Sequence, residues 1–329
     1  MIKKITAIVI LFLLSSCSTP SEKTVVVYDE QDLAEVSPIQ NISPVATNKT
    51  ENIAKPAVTS IKFNIFNDNK KDLEKYLKKP MGIAFDNEGN FYLLDQDKNK
   101  LYKFSNNGNL ISDFGSVGSA PGEFKEPKYI TTSKDNNVII TDTWNQRIQI
   151  LDKKGDAVDL ISLDFFGPKG IIFKNDLFYV ADTGHHVVKI IDKDRKVKTT
   201  IGANKDVNIN LHEPTGLTID DNNNLYIIDS MNNRIVKITK DNKFVKEWNI
   251  EEWKEDKSGK ESFIAYHNNK LYLTDPLKGN VIVFDTQGNR IKELFTDLKA
   301  PSGIAIYKNK AYVVEAGRLK VNVIDLNKG

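Results

Sequence analysis

The side chains that could bind a transition metal are few and unevenly distributed. The chain has four histidines, of which His185 and His186 are neighbours and His212 precedes Glu213. Two or three imidazoles with a carboxylate are a ligand set for zinc. Adjacent histidines in a turn are also ordinary solvated loop residues, and His267 falls in a different kind of turn. A zinc site is therefore one interpretation, and the sequence favours the solvated one.

Oxygen ligands are more abundant, but their abundance has a structural explanation. A calcium-dependent hydrolase would need a Glu, an Asn and an Asp to converge, because hard cations take several oxygen ligands. Asp and Asn also occur in turns, where their side chains bond the local backbone. The chain has no Gly-x-Ser-x-Gly elbow, Ser-His-Asp spacing, Walker-type loop or paired thiols. We therefore assign no catalytic residue and no cofactor, with zinc and calcium as the metals to test.

The charge balance argues against nucleic acid as a partner. The chain has 46 Lys and Arg against 44 Asp and Glu, which gives a formal net charge of +2 at pH 7. The two signs are interspersed, and no basic stripe is visible. The single cysteine, Cys17, excludes a disulfide within one chain.

The amino-terminal residues have the pattern of an export signal. A basic start at Lys3–Lys4 precedes the apolar run Ile5–Leu14, and the small residues Ser15–Ser16 follow. The run is too short to span a bilayer stably. The segment that follows, as far as Val58, is rich in Ser, Thr, Pro, Asn and acidic residues and lacks a sustained apolar period. This composition predicts a flexible tether.

An acidic residue recurs at the end of an apolar strand through the rest of the chain. Successive copies are 40 to 47 residues apart, at Asp95, Asp142, Asp182, Asp229, Asp275 and Glu315. A strand that opens with proline precedes five of them, at Pro80, Pro127, Pro168, Pro214 and Pro301. Periods of this size indicate a repeat architecture.

Each unit contains four predicted strands, and six units predict an all-β, six-bladed propeller of four-stranded antiparallel blades. The third and fourth strands are illustrated by Ile235–Ile238 and Phe244–Trp248. Short turns between strands predict up-and-down connections. The last unit lacks its outermost strand, so we predict that the lone strand Thr59–Phe66 completes that blade and closes the ring. A short helix is predicted over Asn67–Lys79.

We interpret the repeated acid as a structural feature of each blade. A carboxylate at a strand end can accept backbone amide protons and pair with an arginine five residues later, as Asp142 with Arg147 and Asp229 with Arg234. A residue repeated in every blade is not expected to form a single catalytic centre.

The second unit resembles the NHL repeat. The residues that carry the resemblance are Phe114-Gly115, Gly118, Gly122, Phe124, Pro127 and Asp142 to Ile148, and Asp229 to Ile235 matches the latter half. The resemblance covers roughly Thr59 to the carboxyl terminus and implies a propeller. Relatives include lipoprotein and sensor modules, scaffolds, RNA-binding domains, lactonase-like enzymes and an amidating lyase with channel histidines as metal ligands. The fold therefore does not decide the function.

The sequence Leu14-Ser15-Ser16-Cys17 resembles the lipobox of bacterial lipoproteins. The resemblance implies cleavage before Cys17, acylation of that residue, and, from Ser18, the outer membrane where the cell has one. Several acyl chains anchor a protein durably. We expect a signal peptide over residues 1–16, a lipidated cysteine and tether over 17–58, and a propeller over 59–329.

The turns after the acids and the links between units are predicted to emerge on one face of the disc. Candidate partner-binding residues on this face are Trp144, His185, His186, His212 and Trp253. Trp253 lies in the longest link, Asn249–Glu261, for which a recognition loop and a solvated insertion are equally supported.

Together these features predict an exported lipoprotein, anchored to a membrane of the cell envelope, and favour a binding role over an enzymatic one. Its propeller would bind or scaffold an envelope protein or a small ligand. The alternative is a metal-dependent lyase or lactone hydrolase with its site at the central channel.

Overall fold

The computed structural model describes residues 58–61, 74–256 and 260–328. The predicted signal peptide, lipobox and most of the tether lie outside these residues. The predicted strand over 59–66 is observed as β1, Val58–Ile61, and the predicted helix over 67–79 is described only from residue 74, with 74–76 helical. Within the described residues, no helix is long and apolar enough to cross a membrane.

Six antiparallel sheets follow one another along the chain, each a meander of neighbouring strands. The first blade contains β2 (Pro80–Phe85), β3 (Phe91–Asp95), β4 (Lys100–Phe104) and β5 (Leu110–Phe114). The second contains β6 (Pro127–Thr132), β7 (Val138–Asp142), β8 (Arg147–Leu151) and β9 (Ala157–Ile161). The third contains β10 (Pro168–Lys174), β11 (Leu177–Asp182), β12 (Val187–Asp192), β13 (Val197–Gly202) and β14 (Val207–Asn208).

The remaining three blades repeat the same order. The fourth contains β15 (Pro214–Ile219), β16 (Leu225–Asp229), β17 (Arg234–Ile238) and β18 (Phe244–Asn249). The fifth contains β19 (Ile264–His267), β20 (Lys270–Asp275), β21 (Asn280–Asp285) and β22 (Arg290–Leu294). The sixth contains β23 (Pro301–Tyr307), β24 (Lys310–Glu315) and β25 (Lys320–Asp325), and β1 is its fourth strand.

The amino-terminal strand closes the ring, which confirms the prediction from the sequence. β1 pairs antiparallel with β25, from Val58 opposite Ile324 to Ile61 opposite Val321. The first strands of successive blades contact one another around the ring, and β23 of the last blade contacts β2 of the first. The sixth blade thereby gains the fourth, outermost strand that the other blades have, and β25 is paired on both sides.

The third blade differs from the prediction because it has a fifth strand. The two-residue β14 runs parallel to β13, with Ile201 opposite Val207. The chain turns back after Gly202, whose carbonyl accepts from the amides of Lys205 and Ile209. The extra strand is therefore formed by the link to the fourth blade.

The core lies between neighbouring blades. Leu94 and Leu101 of the first blade pack with Ile140 and Leu151 of the second. Strands that are apolar on both faces are expected where each sheet is covered on both sides. Short turns connect the strands, and Asn136 adopts a positive φ of 61° there, a conformation that asparagine tolerates better than most residues.

Candidate functional site: the central channel

All six repeated acids are fully buried. In five blades the carboxylate accepts a backbone amide of the link that enters the same blade, from Lys79, Lys125, Phe166, His212 and Lys299. The predicted ion pairs are confirmed, at 2.8 Å for Asp142 with Arg147 and 2.7 Å for Asp229 with Arg234. The acids therefore fix the links, as a structural role requires.

The acid of the first blade has a different environment. Asp95 accepts from the backbone amides of Lys78, Lys79 and Lys98. Burial raises the pKa of this carboxyl above its ordinary value, and the amide hydrogen bonds oppose the shift. In the sixth blade burial also disfavours the charged form of Glu315, but hydrogen bonds from Asn322 and Arg318 hold its pKa below the ordinary value.

The histidines are only partly brought together. His185 Nδ1 lies 2.9 Å from Asp182 Oδ2. His185 thus occupies the same position in the third blade as Asn145, which bonds to Asp142, in the second. The rings of His186 and His212 are 5.0 Å apart, edge to face, and His186 Nδ1 accepts from the Glu213 amide. The described residues contain no group of three His, Cys, Asp or Glu side chains placed to hold a metal ion.

The two candidate tryptophans have opposite environments. Trp144 is 59% exposed, and the Lys125 ammonium lies 5.7 Å from its ring. Trp253 is fully buried between the fourth and fifth blades, and its indole N–H donates to Asp275 Oδ1 at 3.1 Å. Trp253 therefore packs the propeller and is not available to a partner at the surface.

The disc has two distinct faces, which we name by their connections. The link face carries the turns after the acids and the links between blades, which are joined by bonds such as that from the Met231 amide to the His212 carbonyl. The hairpin face carries the turns between first and second strands, such as the one bridged from Gly89 to Asp86. The first strands of the six blades line a central channel between the two faces.

Two aromatic rings close this channel inside the ring of blades. Tyr129 of the second blade and Phe263 of the fifth stack with ring centroids 4.0 Å apart and an interplanar angle of 19°. These blades are opposite each other in a ring of six, so the rings meet across the channel. Both backbone amides are held by a threonine of the second strand, Thr141 for Tyr129 and Thr274 for Phe263. The Tyr129 hydroxyl donates to the Ser262 carbonyl at 2.9 Å.

A cavity of about 380 Å³ lies on the hairpin-face side of this stack. Its deepest lining residues include Tyr129 and Phe263 themselves, and its rim includes Asn87, Tyr266 and Tyr307. Many of the other lining residues are aliphatic, and three are threonines, Thr131, Thr132 and Thr218. We call this cavity the recess. Its volume falls within the range of small-molecule sites, roughly 300–1,000 Å³.

Charged side chains converge on the other side of the stack, at the link face. Glu261 stands where the other five blades have proline, and Lys128 bonds directly to its carboxylate. The ammonium groups of Lys169 and Lys79 lie 3.8 and 3.9 Å from the same carboxylate. Burial lowers the pKa of Lys169, although Glu261 opposes the shift. Burial would raise the pKa of Glu261, but the lysines, Lys128 first, hold it below the ordinary value.

The predictions from the sequence did not include the aromatic stack or this charged cluster. The signal for both was a departure from the repeat. Tyr129 and Phe263 occupy a position that is glycine in the other four blades, and Glu261 replaces a proline. A residue that departs from the repeat at such a position is a candidate for a role in the channel, because the blade itself does not require it.

Comparison with known proteins supports the fold and the repeat. A family model described as the NHL repeat matches residues 211–238, which include β15, β16 and β17. Protein brain tumor of Drosophila melanogaster is 26% identical over 138 residues, which cover 37% of this chain and 12% of that protein. NHL repeat-containing protein 2 of Gallus gallus is 28% identical over 97 residues, 25% of this chain and 13% of that protein. The matched segments thus span about an eighth of either relative.

Solved structures with a similar fold include two enzymes and the nidogen/laminin complex. Virginiamycin B lyase from Staphylococcus aureus has a TM-score of 0.58 at 16% identity, over 82% of this chain and 99% of its own. The gluconolactonase XC5397 from Xanthomonas campestris has a TM-score of 0.60 at 12% identity, over 76% of this chain and 86% of its own. A chain of the nidogen/laminin complex has a TM-score of 0.52 at 18% identity, over 66% of this chain and 80% of its own. At these identities the likeness shows the fold alone.

The chain is thus a six-bladed β-propeller closed by its amino-terminal strand. Its fourth blade is similar to the NHL repeat over residues 211–238.

Proposed function

We propose that this protein is an exported, lipid-anchored binding protein whose propeller holds a small, uncharged ligand in the recess. The observation that carries the proposal is the Tyr129–Phe263 stack, which turns an open channel into a cavity with a closed end. A closed end lets a ligand bury most of its surface, which a through channel does not allow. The ring of six blades supplies a rigid wall.

The composition of the recess favours a neutral ligand. Asp86, the carboxylate among its lining residues, is buried and lies 3.3 Å from the Lys103 ammonium, so its charge is already compensated. The aliphatic residues of the inner strands offer apolar contact, and the threonines offer hydroxyl groups. An uncharged ligand that combines apolar groups with several hydroxyl or carbonyl groups matches these walls.

Filling the recess should weaken the binding of an uncharged dye such as Nile red. Ala265 and Ala305 line the recess from the fifth and sixth blades, and a phenyl group at either place would occupy the ligand's volume. We expect Ala265→Phe and Ala305→Phe to weaken dye binding by about tenfold or more. Fluorescence titration would measure this, in full chains that also carry Cys17→Ser so that no acyl chain competes.

Ile111→Phe is the matched control, because Ile111 is 52% exposed on the outermost strand of the first blade. It should bind the dye as the parent does. Equal binding by all three variants would place the dye outside the recess and contradict the proposal.

The anchor is proposed from the lipobox resemblance at Leu14 to Cys17. We expect Cys17→Ser to lose incorporation of labelled palmitate and to move from the membrane to the soluble fraction, since the acylated sulfur would be gone. Ser21→Ala, four residues further on, should keep both the label and the membrane location. Membrane retention of an unlabelled Cys17→Ser chain would contradict lipid anchoring at this residue.

The second candidate function is a metal-dependent lyase or lactone hydrolase, favoured by the fold likeness to a streptogramin-type lyase and a gluconolactonase. The His186–His212 pair beside Glu213 is the closest approach to a ligand set on the link face. A stoichiometric zinc or calcium content in protein purified without chelator would favour this function over binding.

A further inference from the structure

The link-face mouth of the channel contains more positive than negative charge at close range. Lys79, Lys128 and Lys169 surround the one carboxylate of Glu261. The other acid that interacts electrostatically with Lys169 is Glu213. Three lysines against one or two carboxylates leave this cluster with an excess of one to two positive charges. Lysines this close together repel each other unless a further anion is present.

Two of these lysines are shielded from water. The side chains of Lys128 and Lys169 are 10% and 17% exposed. A buried ammonium group is costly unless it is hydrogen-bonded and paired. Lys128 has a direct bond to Glu261, but the Lys169 nitrogen is 3.8 Å from the carboxylate, which is beyond hydrogen-bond distance.

Two hydroxyl groups at the same level of the channel also lack partners. Thr215 and Ser262 occupy the same position in their inner strands as Lys128 and Lys169, directly after the proline or its replacement. Both residues are buried, at 1% and 0% exposure, and neither hydroxyl oxygen meets the geometry of a hydrogen bond within the described residues, although the Thr215 hydroxyl lies close to that of Tyr129. Unpaired buried hydroxyl groups are uncommon, and a bound ligand is one way to satisfy them.

A cavity of about 260 Å³ adjoins this group on the link face. Lys79 and Glu261 are among its lining residues, so it reaches the edge of the charged cluster, whereas Lys128 and Lys169 do not line it. The stacked rings of Tyr129 and Phe263 separate the cluster from the recess, and the Tyr129 hydroxyl is held on the Ser262 carbonyl. The charged cluster and the recess therefore lie on opposite sides of the stacked rings.

We propose that the link-face mouth binds a small anion through a carboxylate or phosphate group, with Lys128 and Lys169 as its charged ligands. The hydroxyl groups of Thr215 and Ser262 donate to the same anion, and Lys79 adds charge at the rim. Glu261 is the internal counter-ion that holds the lysines in place and competes with the ligand. The inference does not depend on the recess, because the aromatic stack lies between the two sites.

Calorimetric titration of the full chain with succinate, and separately with inorganic phosphate, at low ionic strength tests the proposal. We expect saturable binding of at least one of these probes, and no binding of the uncharged succinamide. A preference for succinate identifies a carboxylate ligand, and a preference for phosphate identifies a phosphate ligand. Added salt should weaken the binding, because charge provides most of it. Failure of both anions to bind would overturn the proposal.

The variants should change the affinity in opposite directions. Lys169→Met keeps the length of the stem and removes the charge, and we expect it to lower the affinity by about tenfold or more, as loss of a hydrogen bond to a charged group does. Glu261→Gln removes the competing carboxylate, and we expect a gain of about tenfold. Lys193→Met, the same charge change at an exposed residue after β12, should have no effect.

An equal loss of affinity in Lys169→Met and Lys193→Met would show general charge attraction and overturn the site. If the circular dichroism spectrum shows that Lys169→Met does not fold, the Glu261→Gln variant tests the proposal. An affinity for the anion in Glu261→Gln that is unchanged or lower than in the parent also overturns the proposal. Nile red binding in the recess should be the same in all these variants, so that failure of one site is distinguishable from failure of the other.

Discussion

Asp142→Asn should destabilise the propeller by about 3–5 kcal/mol, although it changes a single atom of the side chain. The Asp142 carboxylate accepts from the Lys125 amide and from the side chains of Asn145, Arg147 and Gln149. In the variant, the N–H₂ group of the amide would face N–H groups that now donate to the carboxylate. The buried Arg147 guanidinium would also lose its anion. Guanidinium denaturation followed by far-UV circular dichroism measures the change.

The control for this prediction is Asp156→Asn, in the exposed turn between β8 and β9. Substitutions at such positions usually change stability by less than about 0.5 kcal/mol. A loss below about 1 kcal/mol in Asp142→Asn would mean that the neighbouring bonds compensate for the charge, and would contradict the role assigned to the repeated acid.

Trp253→Ala should cost about 3–5 kcal/mol of unfolding free energy, the range observed when a buried tryptophan or phenylalanine is truncated. The side chain has no exposed surface and packs with Ile250, Tyr226 and Leu271 between two blades. Truncation would leave a cavity at this junction and remove the indole N–H that donates to the Asp275 carboxylate. The same denaturation experiment measures the loss.

Trp144 provides a matched control, since it is the same residue type in an exposed turn. Trp144→Ala should change stability by less than about 0.5 kcal/mol. Trp253→Phe should fall between the two alanine variants, because it keeps most of the apolar contact and loses the indole N–H. A Trp253→Ala protein as stable as Trp144→Ala would contradict the buried packing.

The blade count and the closure by β1 were predictable because both are properties of the repeat. The acids recur at nearly constant spacing, and a strand at the end of a ring must have a partner. The two Asp–Arg pairs were predictable for the same reason, since donor and acceptor are five residues apart in one blade. The extra strand β14 was not, because it depends on where a variable link folds back.

The contents of the channel could not be predicted, because they depend on contacts between blades. Tyr129 and Phe263 are distant in sequence, and only the arrangement of six blades places them face to face. Glu261 likewise meets lysines of other blades. Trp253 was misplaced at the surface because its link is charged, although the apolar pair Ile250 and Trp253 within that link is the signal of a turn that folds inward.

The pairing of β1 with β25 has a consequence for the order of folding. Five sheets are each made from one continuous segment, so they can form as soon as that segment is available. The sixth needs two ends of the chain, since Thr59 pairs with Val323, 264 positions later. Contacts at such separation form slowly, because a long loop must be closed first. The ring can therefore be completed only after the last blade has left the ribosome, and until then the outer edge of β25 lacks its partner strand and the facing surfaces of the first and last blades are uncovered.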